Sequence, residues 1–197
     1  IRPEPDYWVS EEREENERDE NIIEALYHLP RPAILYVTEV SKAENWYKKL
    51  KKIGYNRIGM MHGKTSTSDR EFLVNQWKNG ELDLVVATSA FGLGIDYPFV
   101  RTVVHACIPE TLDRFYQEVG RGGRDGKKSI SILCPAVNDF TIAQNIGHPT
   151  IISVDRGFHR WQTMFNEKIN ISDNHYAVRV DIKPGYDQKD IDMYGER

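Results

Sequence analysis

The densest run of chemistry-bearing residues is Gln117-Glu118-Val119-Gly120-Arg121-Gly122-Gly123-Arg124-Asp125-Gly126. At about 100° per residue, Gln117, Arg121 and Arg124 fall on one helix face, and Leu112, Phe115, Tyr116 and Val119 on the opposite one. Two guanidinium groups projecting from a helix with a buried back suit a polyphosphate, because arginine donates from a planar fork and stays charged. A solvated basic helix end would carry the same residues. A second run, Val86-Ala87-Thr88-Ser89-Ala90-Phe91-Gly92-Leu93-Gly94-Ile95-Asp96, continues an apolar stretch. Thr88 and Ser89 offer hydroxyls and backbone N–H groups. Gly92 and Gly94 permit positive φ and a close backbone approach. Asp96 can accept a hydrogen bond from a ribose or position a water. By itself this run also describes an ordinary glycine-rich turn with a capping aspartate.

The elements that must carry these runs follow from periodicity. Short apolar stretches at 33–37, 57–61, 82–87, 101–106 and 129–133 read as strands, the first covered on both faces. Between them lie helical patterns. Ser41 with Glu44 makes a capping box ahead of Ala43, Trp46, Tyr47 and Leu50, and Gly54 supplies the stop. Ser68 with Glu71 opens another helix carrying Phe72, Leu73 and Trp77, which ends at Asn79-Gly80. A further helix starts near Thr111. Strands alternating with helices over short loops predict an α/β domain with a mostly parallel sheet and helices on both faces. Ligands of such sheets sit in the loops at the carboxyl ends of the strands.

The ends of the chain read differently. Residues 10–21 are almost all Glu, Asp, Arg and Asn, the composition of a linker or a solvated helix start. Residues 22–29 form a short helix stopped by Pro30 and Pro32, and the whole of 1–30 is expected to be a linker from a preceding domain. Beyond residue 146, Phe158, Trp161, Phe165 and Ile169 suggest one more amphipathic helix. Tyr176, Val178, Val180 and Ile182 suggest a half-exposed strand with Arg179 outward. This small C-terminal extension is expected to dock with Trp161 and Phe165 buried.

Bulk properties narrow the class. The chain has 197 residues, 40% hydrophobic and 11% aromatic, enough for a core. Its net charge of −4 is uneven. Residues 1–20 hold three basic and nine acidic residues, and the rest holds 23 basic and 21 acidic, so bulk charge does not choose a partner. No run of ~18 apolar residues predicts a membrane span, and the charged N-terminus does not resemble a leader. Cys107 and Cys134 are far apart, without CxxC spacing, and read as reduced thiols in or near the core; no metal site is expected. The chain opens on Ile1 rather than methionine, so it is expected to be part of a longer polypeptide.

Taken together, the two chemistry-bearing runs are far more specific than either alone. VATSAFGLGID followed by VRTVVHACIPETLDRFYQEVGRGGRDG resembles motifs V and VI of RecQ-like superfamily 2 helicases. AILYVTEVSKAE resembles motif IV, and MMHGKTSTSDREFLVNQWKNGELDLVVAT resembles the segment leading into motif V. The resemblance covers residues 32–146 in order. It implies the second, C-terminal RecA-like domain, with three layers, of a motor that moves along DNA, 3′ to 5′. ATP with Mg2+ would be bound mainly by a first RecA-like domain of the same polypeptide, which would hold the P-loop and the DExH acidic motif. The resemblance makes Arg124 the arginine finger on the γ-phosphate, with Arg121 beside it and Gln117 coupling the cleft to the strand. Gly94 and Asp96 would face the nucleotide, and Thr88 would contact a backbone phosphate. His62, in the family's His-x-Gly segment, joins the nucleic-acid set.

This chain also departs from the family. Motif IV usually has a hydroxyl or basic residue where Glu39 stands, so Thr38 or Ser41 is the better phosphate contact there. No cysteine follows Cys134, unlike the zinc module of many RecQ helicases. Gly63-Lys64-Thr65 imitates the end of a P-loop, but that motif needs a glycine at position 58, which is Ile58. The expected partner is single-stranded or partly duplex DNA and the expected compartment the cytoplasm, on the nucleoid in a bacterium, or the nucleus in a eukaryote. The full-length protein is expected to hydrolyse ATP and this chain alone to be inactive. An RNA helicase or chromatin-type translocase is the alternative on the same fold, although GIDYP and YQEVGRGGRDG favour the RecQ-like pattern over the DEAD-box one. A nucleotide-independent binding module is the alternative of a different class.

Overall fold

The short stretches read as strands are mostly apolar, and they form the largely buried middle of one sheet. A computed structural model of the chain describes residues 5–89, 97–147, 154–173 and 175–178. The chain divides into two compact units, Ile1–His148 and Pro149–Arg197. In the first, the elements run β1 (Asp6–Val9), α1 (Glu15–His28), β2 (Ala33–Tyr36), α2 (Val40–Lys52), β3 (Ile58–Met61), α3 (Thr67–Lys78) and β4 (Leu84–Ala87). They continue with β5 (Thr102–His105), α4 (Leu112–Val119), β6 (Ile130–Leu133) and α5 (Asp139–Gly147). The six strands stand in the order β1-β6-β5-β2-β4-β3, and every pairing is parallel.

Alternation along each strand divides the core into two faces. Ala33, Leu35, Leu84, Val86 and Val104 pack with Ile22 and Leu26 of α1 and with Ala43, Trp46 and Leu50 of α2. Ile34, Tyr36, Val85, Ala87 and Val103 pack on the other side with Trp77 of α3 and Val119 of α4. The three-layer arrangement expected from the sequence is therefore present. Both cysteines are free and buried in this unit, and burial pushes each thiol up, well above its usual value at Cys107.

Several local expectations differ from the structure. The stretch before residue 30 is not a linker: β1 pairs with β6, and α1 spans Glu15–His28. Its acidic composition conceals Arg18, Ile22 and Leu26, spaced by four and all buried. Helix α2 begins at Val40 with Glu39 as N-cap, because the Ser41 hydroxyl donates to the Glu39 carboxylate at 3.2 Å instead of capping the backbone. Helix α3 is capped by Ser66, not Ser68; the Ser66 hydroxyl accepts from the Asp69 N–H at 3.1 Å.

The second unit contains α6 (Val154–Asn166) and an antiparallel hairpin of β7 (Ile169–Ser172) and β8 (His175–Ala177). Ile169, expected on the helix, opens β7 instead, and residues 179–182 of the expected strand lie outside the described residues. Trp161 and Phe165 are not buried, being 55% and 41% exposed. They stack on each other at 5.0 Å between ring centroids, and the Lys168 ammonium covers Phe165 and Tyr176 at 3.5 and 4.6 Å. Within this unit the two rings thus pack on each other.

Candidate nucleotide and nucleic-acid site

Helix α4 starts where the sequence says it should. The Thr111 hydroxyl accepts from the Arg114 N–H at 3.1 Å, and Arg114 Nε donates to Glu110 at 3.2 Å. It ends sooner than the arginine pattern requires. Val119 is its last residue and Gly120 its C-cap, so Arg121 and Arg124 lie on a turn, not on the helix. Two glycines enforce that turn. A Cβ on Gly122 would lie 2.8 Å from the Ser129 hydroxyl, and Gly123 has φ of +63°, with the Lys127 carbonyl 2.5 Å from a would-be Cβ. The chain folds back toward the amino ends of β5 and β6, where the Gly123 N–H donates to the Val100 carbonyl at 2.9 Å.

The expected common face therefore splits. Gln117 and Arg124 are exposed, whereas Arg121 is only 7% exposed. On the apolar side Val119 is buried and Phe115 partly so, but Leu112 and Tyr116 are 71% and 62% exposed. Arg124 Nε donates to the Gly120 carbonyl at 3.1 Å, which ties the base of its guanidinium to the helix end.

Arg121 turns inward onto a buried polar group that the sequence reading did not single out. Tyr36 and His105 are register partners on β2 and β5, and their rings stack at 5.2 Å. His105 Nε2 meets Glu118 Oε2 of α4 at 3.0 Å, with both side chains buried. Arg121 lies against the Tyr36 hydroxyl. Burial pushes that hydroxyl far above the usual tyrosine range, although the charge of Arg121 pulls the other way. Sequence could have found this group. His105 is a polar residue in an apolar strand, and Glu118 and Arg121 stand three apart.

The residues expected to touch nucleic acid gather elsewhere, along the carboxyl ends of three adjacent strands. Tyr36, Ala87 and Met61 end β2, β4 and β3 in register. Thr38, Thr88 and His62 follow them directly or two residues on. Thr88 is buried, and its N–H donates to the Met61 carbonyl at 3.2 Å; Thr38 and His62 are half-buried. Gly63-Lys64-Thr65 closes on itself as a turn. The Lys64 N–H donates to His62 Nδ1 at 3.2 Å, and Thr65 Oγ1 accepts from the His62 N–H at 3.0 Å. Gly92, Gly94 and Asp96 lie outside the described residues.

A second buried arginine was missed altogether. Arg18 of α1 is 4% exposed and donates to the Ala106 carbonyl at 3.0 Å and to Asp139 at 3.3 Å. It ties α1 to the end of β5 and the start of α5. Burial holds the Asp139 carboxyl above its usual value, against the pull of the Ala136 N–H and Arg18. The four-residue spacing of Arg18, Ile22 and Leu26 was its available signal.

The family model for the helicase conserved C-terminal domain matches residues 17–126. The chain is 35% identical over 130 residues to the probable ATP-dependent DNA helicase RecS of Bacillus subtilis (strain 168), covering 66% of this chain and 26% of that protein. It is 31% identical over 155 residues to the RecQ-like DNA helicase BLM of Xenopus laevis, covering 78% of this chain and 11% of that one. The chain thus spans about a quarter or less of the length of these relatives. In fold it matches a DEAD box protein from the hyperthermophile Methanococcus jannaschii, with a TM-score of 0.60 and 24% identity, over 73% of this chain and 39% of that one. The chain belongs to the helicase conserved C-terminal domain family, as a second RecA-like domain resembling those of RecQ-type helicases.

Proposed function

We propose that this chain is the second motor domain of an ATP-dependent DNA helicase or translocase, moving 3′ to 5′ on a single strand. In this reading it works against a first RecA-like domain that holds the P-loop and Mg2+. Arg124 is the arginine finger, Arg121 supports it from behind, and Gln117 links the cleft to the strand. Gly94 and Asp96 face the nucleotide, and Thr38, Thr88 and His62 line the path of the DNA backbone.

The observation that carries this reading is the separation of the two residue sets. An exposed arginine stands on a glycine turn anchored to the sheet, and a set of hydroxyls and an imidazole lies along the strands' carboxyl ends. The buried Tyr36–His105–Glu118 group lies against Arg121 and joins β2 to α4. A motor needs such a connection between nucleotide and strand. The chemistry asked of Arg124 is charge stabilisation on the transferred phosphoryl, which contributes ~10³–10⁵ in rate.

The test is DNA-stimulated ATP hydrolysis and unwinding of a 3′-tailed duplex by the full-length protein. Both activities are expected, and both should be lost in Arg124→Ala with ATP affinity retained. A full-length protein that hydrolyses no ATP in the presence of DNA, or an Arg124→Ala variant with normal turnover, contradicts the proposal. Stimulation by RNA alone would move it to the RNA-helicase reading.

A further inference from the structure

The turn that carries Arg124 is fastened from outside the helix. Arg101, immediately before β5, forms a two-pronged ion pair with Asp125. Its Nη1 donates to Oδ1 at 3.0 Å and its Nη2 to Oδ2. Two backbone–backbone bonds and one from a backbone N–H to the Asp125 carboxylate reinforce the pair. The Gly123 N–H donates to the Val100 carbonyl at 2.9 Å and the Asp125 N–H to the Pro98 carbonyl at 3.2 Å. The Lys127 N–H donates to Asp125 Oδ1 at 3.2 Å. The Arg101 guanidinium keeps the Asp125 carboxyl below its usual range.

These contacts meet on the residues flanking Arg124. The two side chains are only 18% and 12% exposed, so losing either partner costs stability, but stability alone does not call for a two-pronged geometry. A bidentate arginine–carboxylate pair does fix orientation as well as distance. An arginine finger needs that, since a catalytic group must be held to within about 0.5 Å of its working position. Asp125 is next to Arg124 in the chain, so its anchorage sets where the Arg124 backbone begins.

We propose that Arg101 is a positioning residue for the finger: through Asp125 it fixes the turn that aims Arg124. The residues it anchors to, 97–101, continue directly from the glycine-rich run ending at Asp96. One fastening thus serves residues 98–101 and the finger turn together. This rests on the reading of Arg124 as the finger.

The experiment is steady-state ATP hydrolysis by the full-length protein with saturating single-stranded DNA, expressed per folded molecule. The variants are Arg101→Gln, Arg101→Lys, Asp125→Asn, Arg124→Ala and the pair Asp125→Asn with Arg124→Ala. Arg101→Gln and Asp125→Asn should each lower kcat about tenfold to a hundredfold, the cost of a misplaced catalytic group. KM for ATP and DNA affinity should remain within about twofold, as for an interaction made only in the transition state. Arg101→Lys keeps the charge but not the fork, and should fall between wild type and Arg101→Gln. On the Arg124→Ala background Asp125→Asn should cost nothing further, since there is no finger left to aim. If Arg124→Ala slows turnover but Arg101→Gln and Asp125→Asn do not, the positioning role is wrong and the finger stands. Losses that simply multiply in the double variant also overturn it. Normal turnover in Arg124→Ala removes the finger reading and this inference with it.

Discussion

Arg121 and Arg124 come from one short motif but have different surroundings, and the difference is measurable. Arg124 is exposed, so Arg124→Ala should leave the melting temperature nearly unchanged while kcat falls ~10³-fold or more. Arg124→Lys should not restore the rate, because lysine lacks the planar fork. Arg121 is 7% exposed and lies against Tyr36, so Arg121→Ala should cost roughly 1–3 kcal/mol of stability as well as turnover. Thermal unfolding of the two alanine variants side by side checks this; equal midpoints would mean that Arg121 is not held as described. Thr88 belongs to the other residue set. Thr88→Val keeps the shape and removes the hydroxyl, so single-stranded DNA affinity should drop equally across sequences, since backbone contacts carry no sequence information. A loss confined to some sequences, in a titration against several homopolymers, would contradict the assigned contact.

The sheet sets the positions of these residues, and its polar inclusions are the sensitive points. His105 and Glu118 form a buried pair between β5 and α4. Removing one partner leaves the other's polar group unsatisfied in the core, at a cost of about 1–3 kcal/mol. His105→Leu and Glu118→Leu should therefore each destabilise more than half as much as the two together, and denaturant titration of the double-mutant cycle shows whether they couple. Simple additivity would mean that they do not pair. Asp125 provides a pH test of the turn. Its carboxyl is held low by Arg101, so its contribution is complete above the ordinary aspartate value of about 4 and is lost as pH falls through the lower folded value. The stability difference between wild type and Asp125→Asn should persist at neutral pH and vanish in acid. A difference that grew on acidification would reverse the sign. The elements themselves were largely legible in the sequence: β2 to β6 fall within the expected apolar runs, because a sheet covered on both faces leaves an unmistakable hydrophobic signature. Edge strand β1 was not, since its four exposed residues stand between a proline-containing start and an acidic run. The arginine face was misjudged because helical periodicity was carried past Gly120, where Gly123 takes a positive φ and turns the chain back.

At the scale of the molecule, the first unit carries a core of its own, while under the proposed function it supplies only one side of a nucleotide cleft. Among the described residues every buried hydrophobic residue lies between Ile22 and Ala143, and the described members of both residue sets belong to the unit built on the six-stranded sheet. In contrast to this self-sufficiency of fold, the sequence contains no G-x-x-x-x-G-K-[ST] run and no DExH acidic motif. Fold is local to the domain, but hydrolysis under the proposed function is not. A finger stabilises charge on a phosphoryl that another domain must present with its metal ion. The pure 197-residue chain should consequently unfold cooperatively, as an intact domain does, and still release no phosphate from ATP above background, with or without single-stranded DNA. Adding the P-loop domain in trans should restore at most a slow rate, because the effective concentration provided by a shared polypeptide is lost. Circular dichroism melting paired with a phosphate-release assay on the same preparation tests both parts. DNA-stimulated turnover by the chain alone would mean that it holds a complete cleft, and the half-motor account would have to be abandoned.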